Sequence, residues 1–292
     1  MTTTPSHRSR AYLALGLGLM GLAFSGIFVK WANAPGTVTG FYRMAGAILV
    51  LAPMFWHRWR TLERVPRREV QIAVLAGLFF ATDLTLWNTG ILLSGATNPT
   101  LLGNTAPLWV GVGAVLFFRE KLTRPFWIGL LLAISGAALI LGLDALSQVG
   151  LGTFLGLLAG IFYGAYYLVT QRSRQRLDAL TAFWLSAASS TVWLLLASLL
   201  FRQPLTGYPA STYWNFLGLA LIVQVGGQMA ISYALGYLPA SVVSPTMLGQ
   251  PILTALLAMP LLGERLQFWQ VIGGLVVITG VYLVHRSHTP GI

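Results

Sequence analysis

Cysteine is missing from this chain of 292 residues, acidic residues number only seven and histidines only four. Each shortage removes a class of chemistry. Without cysteine there is no disulfide, no thiolate metal site and no cysteine nucleophile. His7, His57, His285 and His288 fall in tails or loops by the sequence pattern, so neither a metal site nor a histidine proton relay is expected. No two acidic residues stand at a spacing useful for catalysis, and neither G-x-S-x-G nor H-E-x-x-H occurs. An enzyme is therefore not expected, nor is a cofactor. Charged residues of both signs make up 9% of the chain against 56% hydrophobic, and the mean hydropathy is +0.73. A soluble domain cannot cover its surface with so few charges, and no polar stretch is long enough to form one separately.

What the chain has is a succession of apolar runs, at 11–30, 37–56, 70–93, 97–118, 124–142, 150–171, 179–201, 212–237, 240–262 and 266–285. Each is close to the ~20 residues with which a helix crosses ~30 Å of hydrocarbon. The first has no A-x-A pattern behind it and reads as a retained helix, not a cleaved signal. The expected class is an all-α integral membrane protein with ten transmembrane helices, its partners a lipid bilayer and a small-molecule substrate, working as a monomer.

The net charge of +11 does not point to nucleic acid, because the basic residues sit in short loops between the apolar runs. With the N-terminus inside, fourteen lysines and arginines fall on the cytoplasmic side and three (Lys30, Arg202 and Arg265) outside, leaving Arg43 within a span. That bias places both termini in the cytoplasm. The location expected is a bacterial inner membrane.

The chain is also duplicated. Residues 107–140, PLWVGVGAVLFFREKLTRPFWIGLLLAISGAALI, and 251–284, PILTALLAMPLLGERLQFWQVIGGLVVITGVYLV, share at a constant offset Pro107 and Pro251, Glu120 and Glu264, Gly129 and Gly273, and Gly136 and Gly280. Residues 24–30 align more weakly with 162–168, Gly26 falling on Gly164. Glycines 152, 156, 160 and 164 stand four apart and make a smooth ridge suited to backbone-to-backbone packing. Two halves, 1–142 and 150–285, then hold five helices each. Since five is odd, the second must be inserted upside down, giving inverted repeats around a central cavity, an arrangement typical of transporters that work by alternating access.

The doubled pattern E-[KR]-L, an aromatic-rich turn and G-x6-G resembles the EamA-type repeat of the drug/metabolite transporter superfamily. The opening SGIFVKWANAPGTVTGFYRMAGAILVLAP, with Arg43 early in the second helix, resembles the start of that repeat. Length and aromatic content are most similar to YddG-type exporters of aromatic amino acids. The resemblance implies ten helices, cytoplasmic termini and a cavity opened alternately to each side, and leaves the substrate open. Amino acids with aromatic or bulky apolar side chains come first. Other metabolites or drugs, or a metabolite or nucleotide-sugar antiport, are the alternatives.

Within the spans, Asp83 is the single acidic residue far from a helix end, and a buried carboxylate should face a cavity or a partner. Four-residue spacing puts Phe79 and Trp87 beside it. Such a face suits an amine or a proton site, or else a carboxylate tied down by neighbouring helices. Arg43 lies within about 6 Å of the same depth at ~1.5 Å per residue. It is an ion-pair candidate for Asp83, unless it extends to the interface. Gln224 and Gln228, four apart in the eighth span, together with Asn104 and Gln250, are candidate substrate contacts or interhelical ties. Pro107 and Pro251 should kink their helices and free backbone acceptors. Trp109, Tyr163 and Tyr167 are candidate rings of the cavity wall. Trp31, Trp56, Trp59, Trp127, Trp214 and Trp269 suit an interfacial belt.

Overall fold

A computed structural model describes residues 5–62, 65–94, 97–142, 150–263 and 265–288. Among them every regular element is helical, as expected where no water is available to satisfy exposed backbone groups. Ten helices are long and apolar enough to span a bilayer. They are α1 (His7–Ala32), α2 (Gly36–Thr61), α3 (Arg67–Ile91), α4 (Pro99–Phe118), α5 (Arg124–Leu141), α6 (Leu151–Ser173), α7 (Ala179–Leu200), α8 (Ala210–Ala234), α9 (Ala240–Leu262) and α10 (Phe268–Ser287). The chain is an integral membrane protein. Glu63, Asp144 and Glu264 lie outside the described residues.

Several helices run past their apolar cores. α1 carries His7, α2 continues to Thr61 and so carries His57, and α10 carries His285. The expectation that all four histidines lie in tails or loops is corrected: a helix keeps its hydrogen-bonding ladder as it leaves the hydrocarbon. His285 Nε2 lies 2.8 Å from Thr246 Oγ1, and His288 Nε2 lies 3.1 Å from Ser241 Oγ.

Small residues determine which helices touch. α5 and α10 pair backbone to backbone and reciprocally. A Cβ on Gly129 would stand 2.7 Å from the Gly280 carbonyl and one on Gly280 2.5 Å from that of Gly129; Gly136 and Gly273 face each other in the same way at 2.6 Å. The ridge on α6 receives the start of α4. There Gly156 meets Pro99, Gly160 meets Leu102 and Thr105, and Gly164 meets Ala106 and Trp109. α1 crosses α8 where Gly18 and Gly21 meet Gly227.

Four spans are interrupted. α1 turns at Phe24, between Pro5–Ala23 and Ser25–Ala32. α4 tightens at Asn104 and Thr105, where Thr105 N–H donates to Leu102 O at 3.0 Å and Leu108 N–H to Thr105 O at 2.8 Å. α9 passes through a 3₁₀ turn at Met247–Gly249. The α4 and α9 interruptions come just before Pro107 and Pro251, each of which sits in the first turn of the helical segment that follows, where its missing N–H costs least. α8 contains a π-helical stretch, Leu219–Gln228. At their far ends α4 and α9 also stop alike, in the left-handed region, at Arg119 (φ 54°) and Gly263 (φ 68°). Those residues precede the two repeat glutamates.

Asp178 starts α7 with its side chain. Oδ1 accepts from Thr181 N–H at 3.1 Å and Oδ2 from the Thr181 hydroxyl at 2.8 Å, while Arg58 Nε lies 3.4 Å from Oδ2. Partial burial pushes this carboxyl up, but the Thr181 bonds and Arg58 outweigh that, and the net value lies below the ordinary carboxylate range. A lowered folded value means stability that is present above the ordinary pKa of about 3.9 and lost as pH falls through the folded one. Asp178→Ala should therefore cost about 0.5–2 kcal/mol at neutral pH, and the gap to wild type should close as the pH drops below about 4. Thermal unfolding of both proteins in detergent across that range checks it, and a gap that stays constant would rule out the ionised cap.

Candidate functional site

A cavity of about 160 Å³ lies between the two halves of the chain. Its walls come from seven helices: Leu22 and Ser25 on α1, Arg43 on α2, Phe80, Asp83, Leu84 and Trp87 on α3, Thr100, Gly103 and Asn104 on α4, Tyr163 on α6, Gln228 on α8 and Gln250 on α9. All four helix interruptions touch it, at Ser25, at Asn104, at Gln228, the last residue of the π-helical stretch, and through Gln250, the residue after the 3₁₀ turn. A smaller void of about 30 Å³ adjoins it, sharing Gly103, Asn104, Tyr163 and Gln250, and is completed by Ala106, Pro107, Tyr167, Ser244, Met247 and Leu248.

Asp83 is 9% exposed and Arg43 8%. Arg43 does not extend to an interface, and it forms no contact ion pair with Asp83. Its Nη2 donates instead to Gln224 Oε1 at 2.6 Å, while its Nε has no partner. Gln224 Nε2 reaches Met44 Sδ at 2.9 Å, which fixes the amide with its oxygen toward the guanidinium. Gln228 Nε2 donates to Tyr166 Oη at 2.8 Å, leaving Gln228 Oε1 buried and unpartnered. Trp87 Nε1 donates to Thr100 Oγ1 at 3.1 Å, Gln250 Nε2 to Leu22 O at 3.1 Å, and the hydroxyls of Tyr163 and Tyr167 are 3.1 Å apart.

The sequence-based candidates divide accordingly. Asp83, Trp87, Asn104, Tyr163, Gln228, Gln250 and Arg43 meet at one cavity; Phe79, Trp109, Tyr167, Gln224 and Pro251 do not line it. Phe79 packs on Phe162, with ring centroids 5.9 Å apart, and Phe80 takes the place expected for it. At about 100° per residue, Phe80, Asp83, Leu84 and Trp87 share an arc of about 100°, and Phe79 falls about 40° outside it. Trp109 donates to Thr105 Oγ1 at 3.3 Å, and its Cβ lies over Gly164 in the glycine ridge that seats α4. Tyr167 and Pro107 border the smaller void. Gln224 and Gln228 part company because the π-helical turn is wide: the N–H of Met229 reaches Gln224 O, five residues back. In so wide a turn a four-residue step falls short of a full revolution. Ser25, Phe80 and Thr100, and Tyr166 behind Gln228, were not singled out by the sequence pattern. Tyr166 alone had a signal there, standing three residues from Tyr163 in the run FYGAYYL.

Ties between the halves flank the cavity. At the arginine-rich end, the Ser241 hydroxyl donates across the halves to Glu120 Oε2, next to a bond within the second half in which the backbone N–H of Ala240 donates to Gln171 Oε1 at 2.7 Å. At the opposite end, the Tyr42 hydroxyl donates to Leu205 O at 2.8 Å and the Thr212 hydroxyl to Ala32 O at 2.9 Å. Among the described residues no group of three or more His, Cys, Asp or Glu side chains could hold a metal ion.

Ten spanning helices in two related sets, closing on a cavity with polar walls, define a membrane transporter. The chain belongs to the EamA-like transporter family, which matches it twice, over residues 9–142 and 150–286. It is 26% identical over 285 residues to an uncharacterized transporter of Archaeoglobus fulgidus, covering 94% of this chain and 97% of that protein. The uncharacterized transporter YdfC of Bacillus subtilis is 24% identical, with coverage of 92% and 88%. A protein of Streptantibioticus cattleyicolor named "probable terminal-alkyne amino-acid exporter" is 25% identical over 228 residues, 76% of each chain. A solved crystal structure superposes with a TM-score of 0.75 over 97% of this chain and 99% of its own, at 14% identity, a likeness of fold alone. The protein is a transporter of small solutes and not an enzyme.

Proposed function

We infer that this transporter exports small, largely apolar zwitterions by alternating access, with amino acids bearing aromatic or bulky apolar side chains as its main substrates. The observation that carries the reading is the balance of the cavity wall. One cation, Arg43, and one carboxyl group, Asp83, share it with rings (Phe80, Trp87, Tyr163) and amides (Asn104, Gln228, Gln250). A nucleotide sugar or sugar phosphate brings two or more negative charges and calls for several Arg or Lys at its site; this wall offers one. A zwitterion brings none in excess. The likeness to a protein named as an amino-acid exporter supports the same substrate class.

In this reading the halves 1–142 and 150–285 are inverted repeats, both termini lie in the cytoplasm, and the membrane is a bacterial inner membrane. The reciprocal glycine contacts of α5 and α10 fit a twofold relation between the halves. Drug-sized ligands fill pockets of ~300–1,000 Å³, so a bulky side chain needs more room than the cavity has here. The interruptions of α4 and α9 before Pro107 and Pro251 are the proposed hinges, and their movement would join the two voids at Asn104 and Gln250. Because a methylene in such a pocket is worth only ~1–3 kcal/mol, the substrate range is broad.

Cells overproducing the protein should tolerate toxic aromatic amino-acid analogues and release more phenylalanine or tryptophan. Purified protein in liposomes should exchange labelled phenylalanine. Exchange of sugar phosphates or nucleotide sugars, with no amino acid moved, would overturn the reading.

A further inference from the structure

Two opposite charges nine-tenths buried in one low-dielectric cavity would ordinarily close into a contact pair, because an unpaired buried charge is costly. Arg43 and Asp83 do not. The guanidinium is drawn aside by Gln224, whose amide is itself fixed by Met44. That single committed bond leaves Arg43 Nε buried without a partner. On the same cavity wall the acceptors are likewise uncommitted. No described residue donates a hydrogen bond to Asp83, and the donation of Gln228 to Tyr166 leaves its Oε1 buried and unpartnered at 1% exposure. The wall therefore holds a spare donor set on one helix and a spare acceptor set on two others.

We propose that Arg43 and Asp83 form a split ion pair that an α-amino acid completes, its carboxylate taken by Arg43 and its ammonium by Asp83 and Gln228 Oε1. This rests on the amino-acid reading above and assigns its head-group subsite. An α-amino acid carries its two charges one carbon apart, so one molecule inserted between the side chains gives each buried charge a contact partner without changing the net charge. Gln224 is a positioning residue: it holds the guanidinium away from Asp83 and so keeps the gap open. The side chain is then left to Phe80, Trp87 and Tyr163. Recognition divides into a strict demand for both head-group charges and a lenient demand on the side chain.

The test uses three ligands that differ only in the head group: phenylalanine, 2-phenylethylamine, which lacks the carboxylate, and 3-phenylpropionate, which lacks the ammonium. Binding to the purified full-length protein is measured by titration calorimetry. Wild type should prefer phenylalanine to either analogue by about tenfold or more, the worth of a charge-assisted hydrogen bond. Arg43→Gln should erase the preference over phenylethylamine and keep that over phenylpropionate. Asp83→Asn should do the reverse. If instead each variant weakens all three ligands by one common factor, the residues act on packing alone and the split pair is wrong, while the amino-acid reading stands. Wild-type protein that binds none of the three overturns both. Should a single variant fail to fold, Arg43→Gln/Asp83→Asn, which leaves neither charge unpaired, carries the same test. Its preference for phenylalanine should vanish, and a persisting preference overturns the proposal.

Discussion

Gly280→Val is expected to be among the most damaging single substitutions in the protein. A Cβ at this position would lie 2.5 Å from both Ala133 N and Gly129 O and 2.9 Å from Ala133 Cα, so every obstacle is backbone and none can swing aside. The remedy is to push α5 and α10 apart, which also undoes the contact of Gly136 with Gly273 about two turns away. Overpacking of a close interface costs about 1–3 kcal/mol, and separating two helices that lipid does nothing to press together should reach the upper part of that range or exceed it. Gly16→Ala is the matched control, since nothing stands within 4 Å of its Cβ. It should be neutral or slightly stabilising, as alanine outranks glycine in a helix by up to about 1 kcal/mol. Thermal unfolding in detergent distinguishes the two. A Gly280→Val protein that melts with wild type would mean that the two helices are not in backbone contact.

Gln224→Leu should disrupt stability and transport together, and the two effects should then separate in a double variant. Leucine removes the acceptor 2.6 Å from Arg43 Nη2 and leaves a buried guanidinium with no hydrogen bond from its own protein. Losing a bond to a buried charge costs about 1.5–3 kcal/mol. Removing the charge as well, in Arg43→Leu/Gln224→Leu, should recover most of that stability, because a pair of apolar side chains replaces the polar pair. Transport should not recover, since the cavity then lacks its cation. Melting temperatures and phenylalanine exchange of the two single variants and the double variant form a complete cycle. Additive stability losses would show that the hydrogen bond contributes nothing. Wild-type exchange by the double variant would show that Arg43 has no part in the cavity's chemistry.

Run lengths, loop charges and a shared E-[KR]-L pattern were enough to give the membrane class, ten spans, the duplication and the transporter family. Hydrocarbon leaves a spanning chain little choice but the helix, so a run of about 20 apolar residues carries nearly all the information needed. Helix ends were less legible. α2 and α10 carry His57 and His285 past the apolar core because backbone hydrogen bonding does not stop at the membrane surface.

Asp83 and Arg43 also stood out in the sequence, since the cost of burying a charge marks its position whatever it touches. What they touch was decided by the tertiary structure. The guanidinium went to Gln224 because the π-helical stretch of α8 turns that amide toward α2 and leaves Gln228 facing α6 and the cavity. Phe80 displaced Phe79 from the wall, and Trp109 went to the glycine ridge of α6, because the rotation of each helix follows the backbone contacts its small residues permit. Composition and spacing determine that a helix forms and crosses. Its rotation about its own axis, and so which side chains reach the cavity, depends on residues of other helices that are distant in sequence, and only the packed structure brings those together.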